Sequence, residues 1–118
     1  MRCISLPTHG TIELLAGLTL MATPFAIGFG AIGTVAAVAL GVLLVGLALS
    51  GADSLPLAAH IAFDQALGAA FVAVALGLAL AGDRAAGTVF LAAAVLQLLL
   101  TAATRYTRPV RVSHRARF

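Results

Sequence analysis

The chain has 118 residues, of which 62% are hydrophobic and only 9% are charged, and its formal net charge is +3 at pH 7. Its mean hydropathy of +1.12 excludes an ordinary soluble domain and indicates an integral membrane protein. The apolar runs are continuous rather than alternating, which favours transmembrane helices over a β-barrel.

Four apolar segments follow one another along the chain, at residues 11–29, 32–50, 57–81 and 86–104. Each is close to the roughly 20 residues that a helix needs to cross the hydrocarbon core of a bilayer. A helix also satisfies every backbone polar group within its own segment. We therefore predict an all-α membrane protein with a single transmembrane domain at residues 1–104, whose four helices form two hairpins, at about 9–50 and 57–104.

The first segment has two features of a cleaved signal peptide, an early Arg2 and an apolar run that begins at Leu14. Against that interpretation, Glu13 directly precedes the run and Pro24 interrupts it. The segment also has a counterpart later in the chain, which its removal would leave without a partner. We therefore predict that it remains in the protein as a transmembrane helix.

The counterpart is visible as a repeat of three residue types at four-residue spacing: His9, Glu13 and Gly17, and then His60, Asp64 and Gly68. The two sets are separated by a constant offset along the chain. Because each set opens one hairpin, both hairpins enter the membrane from the same side. This pattern predicts a parallel repeat, in which the hairpins are related by an axis along the membrane normal.

Small residues recur at four-residue spacing in the third segment, at Ala69, Ala73, Gly77 and Ala81. A stripe of small side chains lets the backbone of a neighbouring helix approach closely. We therefore predict that this stripe forms the closest helix contact of the protein. Gly17 and Gly68 are predicted as further packing positions.

Two polar residues stand beside or within the fourth segment. Asp83 precedes it and is suited to accept hydrogen bonds from the first N–H groups of a helix, so we predict that it is the N-cap. Gln97 lies near the middle of the segment. Amides at such positions commonly form hydrogen bonds between helices, which we expect here in preference to a pore-lining role.

The arginines are distributed unevenly. Arg84 lies alone in the turn after the third segment, whereas the other side of the predicted bundle holds Arg2, Arg105, Arg108, Arg111, Arg115 and Arg117. Because positively charged flanks stay in the cytoplasm, we predict that both ends of the chain are cytoplasmic. Residues 105–118 then form a basic cytoplasmic tail on anionic lipid head groups. Nucleic-acid binding is the alternative for this tail, but such clusters are common beside a last span, and no nucleic acid is expected.

The first hairpin contains an acidic residue, a glycine four positions later and a proline-centred tripeptide before another glycine: Glu13, Gly17, Thr23-Pro24-Phe25 and Gly28. In this pattern the chain resembles the SPW-repeat membrane proteins, over about residues 9–104. Thr and Phe stand where that family has Ser and Trp, and the second hairpin keeps Asp64 and Gly68 without the tripeptide. The resemblance implies tandem two-helix repeats in the bacterial inner membrane and no established activity.

The two pairs of histidine and acid are the candidate polar cluster. Residues four apart share a helix face, so His9 meets Glu13 and His60 meets Asp64, and all four converge if the hairpins pack about their axis. In one interpretation these groups cap helix starts, reach lipid head groups and set the register between hairpins. In the other they form a proton- or metal-binding cluster, because ionisable residues within a membrane are commonly functional. Helix positions alone do not define tetrahedral geometry, so no metal or cofactor is assigned.

Motifs of known catalytic chemistry are missing from the sequence, which has no glycine-rich phosphate loop, no CxxC and no HExxH. We therefore predict a protein that is not an enzyme. The expected role is a structural, accessory or interaction subunit, either as a homo-oligomer or within a larger membrane complex. A proton- or ion-handling protein that uses His9, Glu13, His60 and Asp64 is the alternative.

Overall fold

The computed structural model describes residues 3–50 and 55–106. Within these ranges the chain forms four long helices: α1 (Leu6–Thr23), α2 (Ala31–Leu49), α3 (Leu57–Leu80) and α4 (Arg84–Ala103). All four are long and apolar enough to cross a membrane. Within the described residues, the prediction of an all-helical protein with four helices long and apolar enough to span a membrane is confirmed.

The first helix continues beyond Thr23 as a short π-helical segment, Pro24–Gly28. Proline has no N–H to donate and its ring crowds the preceding turn, so the regular hydrogen-bond ladder cannot pass through Pro24. The ladder widens instead, and the Phe29 N–H donates to the Pro24 carbonyl at 3.2 Å. Gly28 then ends the segment with φ +85°, a conformation that suits glycine.

Neighbouring helices pack in pairs, α1 mainly against α2 and α3 mainly against α4. Glycines allow this close approach, since a Cβ at Gly17 would lie 2.9 Å from the carbonyl oxygen of Gly41. In the second pair, a Cβ at Gly68 would lie 2.9 Å from the side chain of Leu98. Gly17 and Gly68 are therefore packing positions. The symmetric relation between the two pairs stays a prediction.

The predicted small-residue stripe does not form a helix contact. Its four members lie on the outer face of α3 and are exposed: Ala69, Ala73, Gly77 and Ala81. A Cβ at Gly77 would meet no atom within 4 Å. The prediction was wrong because the buried face of α3 is the one that carries Asp64 and Phe71, and the stripe lies on a different face of the helix.

Hydrogen bonds connect separate segments of the chain at both ends of the bundle. At one end, Ile4 donates its N–H to Ala103 at 3.0 Å and accepts the Arg105 N–H at 2.8 Å, so the segment before α1 pairs with the segment after α4. At the other end, the Asp83 side chain accepts hydrogen bonds from the backbone of Gly30, just before α2, and of Ala86, in the first turn of α4. We call the first the clasp end, and define the clasp as residues 3–5 and 103–106.

The interior away from the clasp is apolar. Phe71 and Phe90, which are 1% and 0% exposed, pack with ring centroids 6.1 Å apart. Leu20 and Leu44 complete this core from the first helix pair. Of the predicted lipid-contacting arginines, Arg105 is exposed in the clasp, and the others lie outside the described residues: Arg108, Arg111, Arg115 and Arg117.

Candidate metal centre

Four ionisable side chains from two helices meet near the clasp end. His9 and Glu13 lie one turn apart on α1, and His60 and Asp64 lie one turn apart on α3. Each contributes a nitrogen or oxygen atom, and these atoms all lie within 4.8 Å of one another. His60 is 6% exposed and the other three are 0% exposed. The structure therefore brings both predicted pairs into one buried cluster.

Each imidazole of the cluster lies between both carboxylates. The Nε2 atom of His9 is 3.1 Å from Glu13 Oε1 and 3.1 Å from Asp64 Oδ2. The Nε2 atom of His60 is 3.7 Å from Glu13 Oε2 and 3.6 Å from Asp64 Oδ2. Contacts within one helix and contacts between helices are thus equally close, and the four groups form one site rather than two separate pairs.

The other ring nitrogen of His9 shows which atom carries hydrogen. Its Nδ1 lies 2.6 Å from the Thr104 hydroxyl, and that hydroxyl donates its single hydrogen to the Leu100 carbonyl at 2.6 Å. The hydroxyl can therefore only accept from the ring, so Nδ1 is a donor. This leaves Nε2 of His9 facing two carboxylate oxygens.

This arrangement requires a proton or a metal ion between His9 Nε2 and the carboxylates. A neutral His9 would point the Nε2 lone pair at two buried carboxylate oxygens 3.1 Å away, which is repulsive in a medium of low dielectric constant. Among the described residues, neither His9 Nε2 nor Glu13 Oε2 has a well-aligned hydrogen bond, although both are fully buried. A proton held between His9 Nε2 and one of the carboxylates, or a metal ion among the four groups, resolves the repulsion.

Two further side chains hold the carboxylates. The Gln97 amide on α4 donates long hydrogen bonds to Glu13 Oε1, at 3.5 Å, and to Asp64 Oδ1, at 3.4 Å. Gln97 thus links three helices, and its predicted hydrogen bond between helices is found. Tyr106, which follows α4, donates its hydroxyl to Asp64 Oδ2 at 2.6 Å. Burial, together with the hydrogen bond to Asp64, raises the pKa of Tyr106, so the phenol remains a donor.

Sequence reasoning missed Thr104 and Tyr106. Both lie at the end of the last apolar segment, where a threonine and a tyrosine are expected at a membrane interface without any special role. Their contacts with His9 and Asp64 join positions far apart in the chain, and no spacing pattern reports such contacts. The tyrosine ring also packs edge-on against the His9 ring, with centroids 5.5 Å apart.

An apolar groove of about 390 Å³ runs along the seam between α1 and α4 and ends near the cluster at Gln97. Two threonines in its wall use their hydroxyls within their own helix, Thr19 with the Leu15 carbonyl and Thr23 with the Thr19 carbonyl. The groove thus offers a ligand little polar contact apart from Gln97.

Comparisons with protein-family models, curated proteins and solved structures find no match to this chain.

Proposed function

We propose that this chain is a multi-pass membrane protein that binds one divalent transition-metal ion, of the class of zinc, with His9, Glu13, His60 and Asp64. The observation that carries the proposal is the placement of His9 Nε2 at 3.1 Å from carboxylate oxygens of both helices while its Nδ1 hydrogen is used by Thr104. A proton or a metal ion belongs at this point, and the ligand set favours a transition metal.

The spacing of the four groups suits a tetrahedral ion. Zinc binds imidazole nitrogen and carboxylate oxygen at about 2.0–2.2 Å, so ligand atoms at the corners of a tetrahedron lie roughly 3.3–3.6 Å apart. The four nitrogen-to-oxygen distances in the cluster are 3.1, 3.1, 3.7 and 3.6 Å, with His9 and His60 contacting different oxygens of Glu13, and one ligand atom from each residue lies within 4.8 Å of the others. An ion bound by all four groups would draw the more distant of these ligand atoms together.

The chemistry of the ligands favours a transition metal over calcium or magnesium. Imidazole nitrogen suits zinc and its neighbours, whereas calcium takes six to eight oxygen ligands and magnesium keeps several waters. The side chains that form hydrogen bonds with the proposed ligands also fit a transition-metal site. Thr104 orients the ring of His9, and Gln97 and Tyr106 orient the carboxylates, as commonly found around metal sites.

A structural or accessory role is the second candidate, and the position of the cluster favours it. The two histidine-acid pairs come from different helix pairs, so the site connects α1 with α3 through polar contacts in an otherwise apolar bundle. In this role the cluster holds the two hairpins in register with a proton in place of a metal. Neither role includes catalysis.

The proposed location is the bacterial inner membrane, with the clasp end in the cytoplasm. The uneven distribution of arginine supports this orientation. Six of the seven arginines lie in the segments before the first helix and after the last one, and only Arg84 lies between the third and fourth helices. Lipid is the expected partner, and assembly with further copies or with other membrane proteins remains part of the proposal.

Metal analysis of purified protein tests the proposal. We expect protein that is extracted in mild detergent without chelator, or reloaded with Zn²⁺ and desalted, to hold about one metal ion per chain. Substitution with Co²⁺ is expected to produce the visible absorption of a tetrahedral complex. The variants Glu13→Gln and His60→Ala should lose this metal and this spectrum.

Matched controls separate the site from general charge effects. Asp83→Asn removes a carboxylate at the opposite end of the bundle, and His114→Ala removes the histidine that lies outside the described residues. Both variants should keep the metal. A folded wild-type protein that binds neither Zn²⁺ nor Co²⁺ would refute the metal centre and leave the structural role.

A further inference from the structure

The buried polar side chains of the protein are confined to one end. Those found among the described residues are His9, Glu13, His60, Asp64, Gln97 and Thr104. Four lie in the first three turns of α1 and α3, Gln97 lies in the last two turns of α4, and Thr104 directly follows α4; these segments meet at the clasp end. Glu13, seven residues into α1, lies only about 10 Å along the helix from its start.

The interior beyond the cluster offers no path for an ion. Next along the bundle come Leu20, Phe71 and Phe90, which are 4%, 1% and 0% exposed, and this packed layer contains no buried polar side chain among the described residues. A desolvated divalent ion is far too costly to place among such groups. The groove between α1 and α4 is lined mainly by apolar side chains, and the Thr19 and Thr23 hydroxyls in its wall donate within their own helix, so it is equally unsuited to a hydrated cation.

The clasp covers the cluster on its near side. Backbone hydrogen bonds join Ile4 to Ala103 and Arg105, and Tyr106 follows directly. Its ring stands against His9 and its hydroxyl donates to Asp64 Oδ2, the oxygen shared by both imidazoles. Tyr106 is only partly buried, so one part of this side chain faces the outside of the bundle while the other contacts the site.

We infer that the metal ion reaches and leaves the cluster from the clasp end alone, and that Tyr106 is the gate that slows this exchange. The inference rests on the proposed metal centre. It makes the protein a one-sided binder that takes up and returns its ion on the same face of the membrane. A channel or carrier would instead need a second opening.

The first experiment measures how fast the site releases its metal. Co²⁺-loaded protein in detergent is mixed with excess EDTA, and the loss of the cobalt spectrum is followed with time. Tyr106→Phe keeps the ring and removes the hydrogen bond to a charged oxygen, so release should be faster by on the order of tenfold. Arg105→Lys, which alters the neighbouring clasp residue and keeps its charge, should release at the wild-type rate.

The second experiment measures the side of access. Cys3 is the single cysteine of the chain and is exposed within the clasp. In vesicles loaded with Co²⁺-protein, a maleimide that cannot cross the membrane therefore reports the fraction of molecules whose clasp faces outward. External EDTA should remove cobalt from that same fraction and from no other molecules.

The outcomes separate the two proposals. Equal release rates for Tyr106→Phe and wild type would show that Tyr106 is not the gate. Removal of cobalt from molecules whose Cys3 is protected would show that a second route exists. Either result would leave the metal centre standing, whereas failure of the wild-type protein to bind Co²⁺ would overturn the proposed function and this inference together.

Discussion

The carboxylate of Asp83 accepts the backbone N–H of Gly30 at 2.8 Å through Oδ2, and through Oδ1 it accepts the Ala86 N–H at 3.1 Å. One side chain therefore caps α4 and ties the turn of the first hairpin to the turn of the second. Asp83 thus connects the two helix pairs at the far end of the bundle, as the cluster connects them at the clasp end.

Replacing Asp83 with alanine removes both hydrogen bonds. We expect the free energy of unfolding to fall by about 1–3 kcal/mol, because a helix cap and a link between hairpins are lost together. Thermal unfolding in detergent measures this change. Asp83→Asn keeps an oxygen acceptor and should lie nearer to wild type, and a melting temperature for Asp83→Ala equal to that of wild type would show that the link contributes nothing.

Packing between α1 and α2 depends on Gly17. A Cβ there would lie 2.7 Å from the Val45 side chain and 2.9 Å from the Gly41 carbonyl, so Gly17→Ala should destabilise the bundle by roughly 1–3 kcal/mol. Gly77→Ala is the matched control, since its added methyl group meets nothing within 4 Å. That change should be neutral or stabilising by about 0.5–1 kcal/mol. Equal losses at both positions would contradict the observed packing of α1 on α2.

Orientation of His9 by Thr104 is expected to matter for metal binding. Thr104→Val removes the acceptor of the Nδ1–H and should weaken Zn²⁺ binding by roughly 10–100-fold, as is typical for a group that orients a metal ligand. Thr104→Ser keeps the hydroxyl and should bind nearly as tightly as wild type. Competition with a chelator of known affinity measures both. Similar affinities for the valine and serine variants would exclude this role.

The predicted orientation in the membrane is tested with topology reporters. A reporter fused after Phe118 should report the cytoplasm, and one placed at Arg84 should report the opposite side, because six of the seven arginines lie on the side of the chain ends. A version of the chain with Arg84 replaced by Ala serves as a control and should keep the same orientation. Opposite labels would reverse the side on which the clasp opens.

Several features of the protein could be predicted from local patterns. Four apolar segments of sufficient length predicted four helices, and the cap formed by Asp83 followed from its position before the fourth. The four-residue spacing of His9 with Glu13, and of His60 with Asp64, placed each pair on one helix face. These features depend on a few neighbouring residues, and helix geometry relates such residues directly.

The direction in which each helix faces was decided only by tertiary structure. In a bilayer the outward face of a helix is as apolar as the inward one, so hydrophobic periodicity carries little information about rotation. For this reason the stripe through Ala73 and Gly77 was predicted to pack and instead faces outward. The rotation of each helix about its own axis also decides which buried polar side chains contact one another.

The amino-acid sequence by itself thus determined a membrane protein of four helices with two histidine-acid pairs. The tertiary structure decided that both pairs share one buried site and that Gln97, Thr104 and Tyr106 form hydrogen bonds with it. The physical reason is the distance along the chain over which each effect acts. Hydropathy and helix spacing act between near neighbours, whereas the site is assembled from residues 9 to 106, which meet only when the two hairpins pack together.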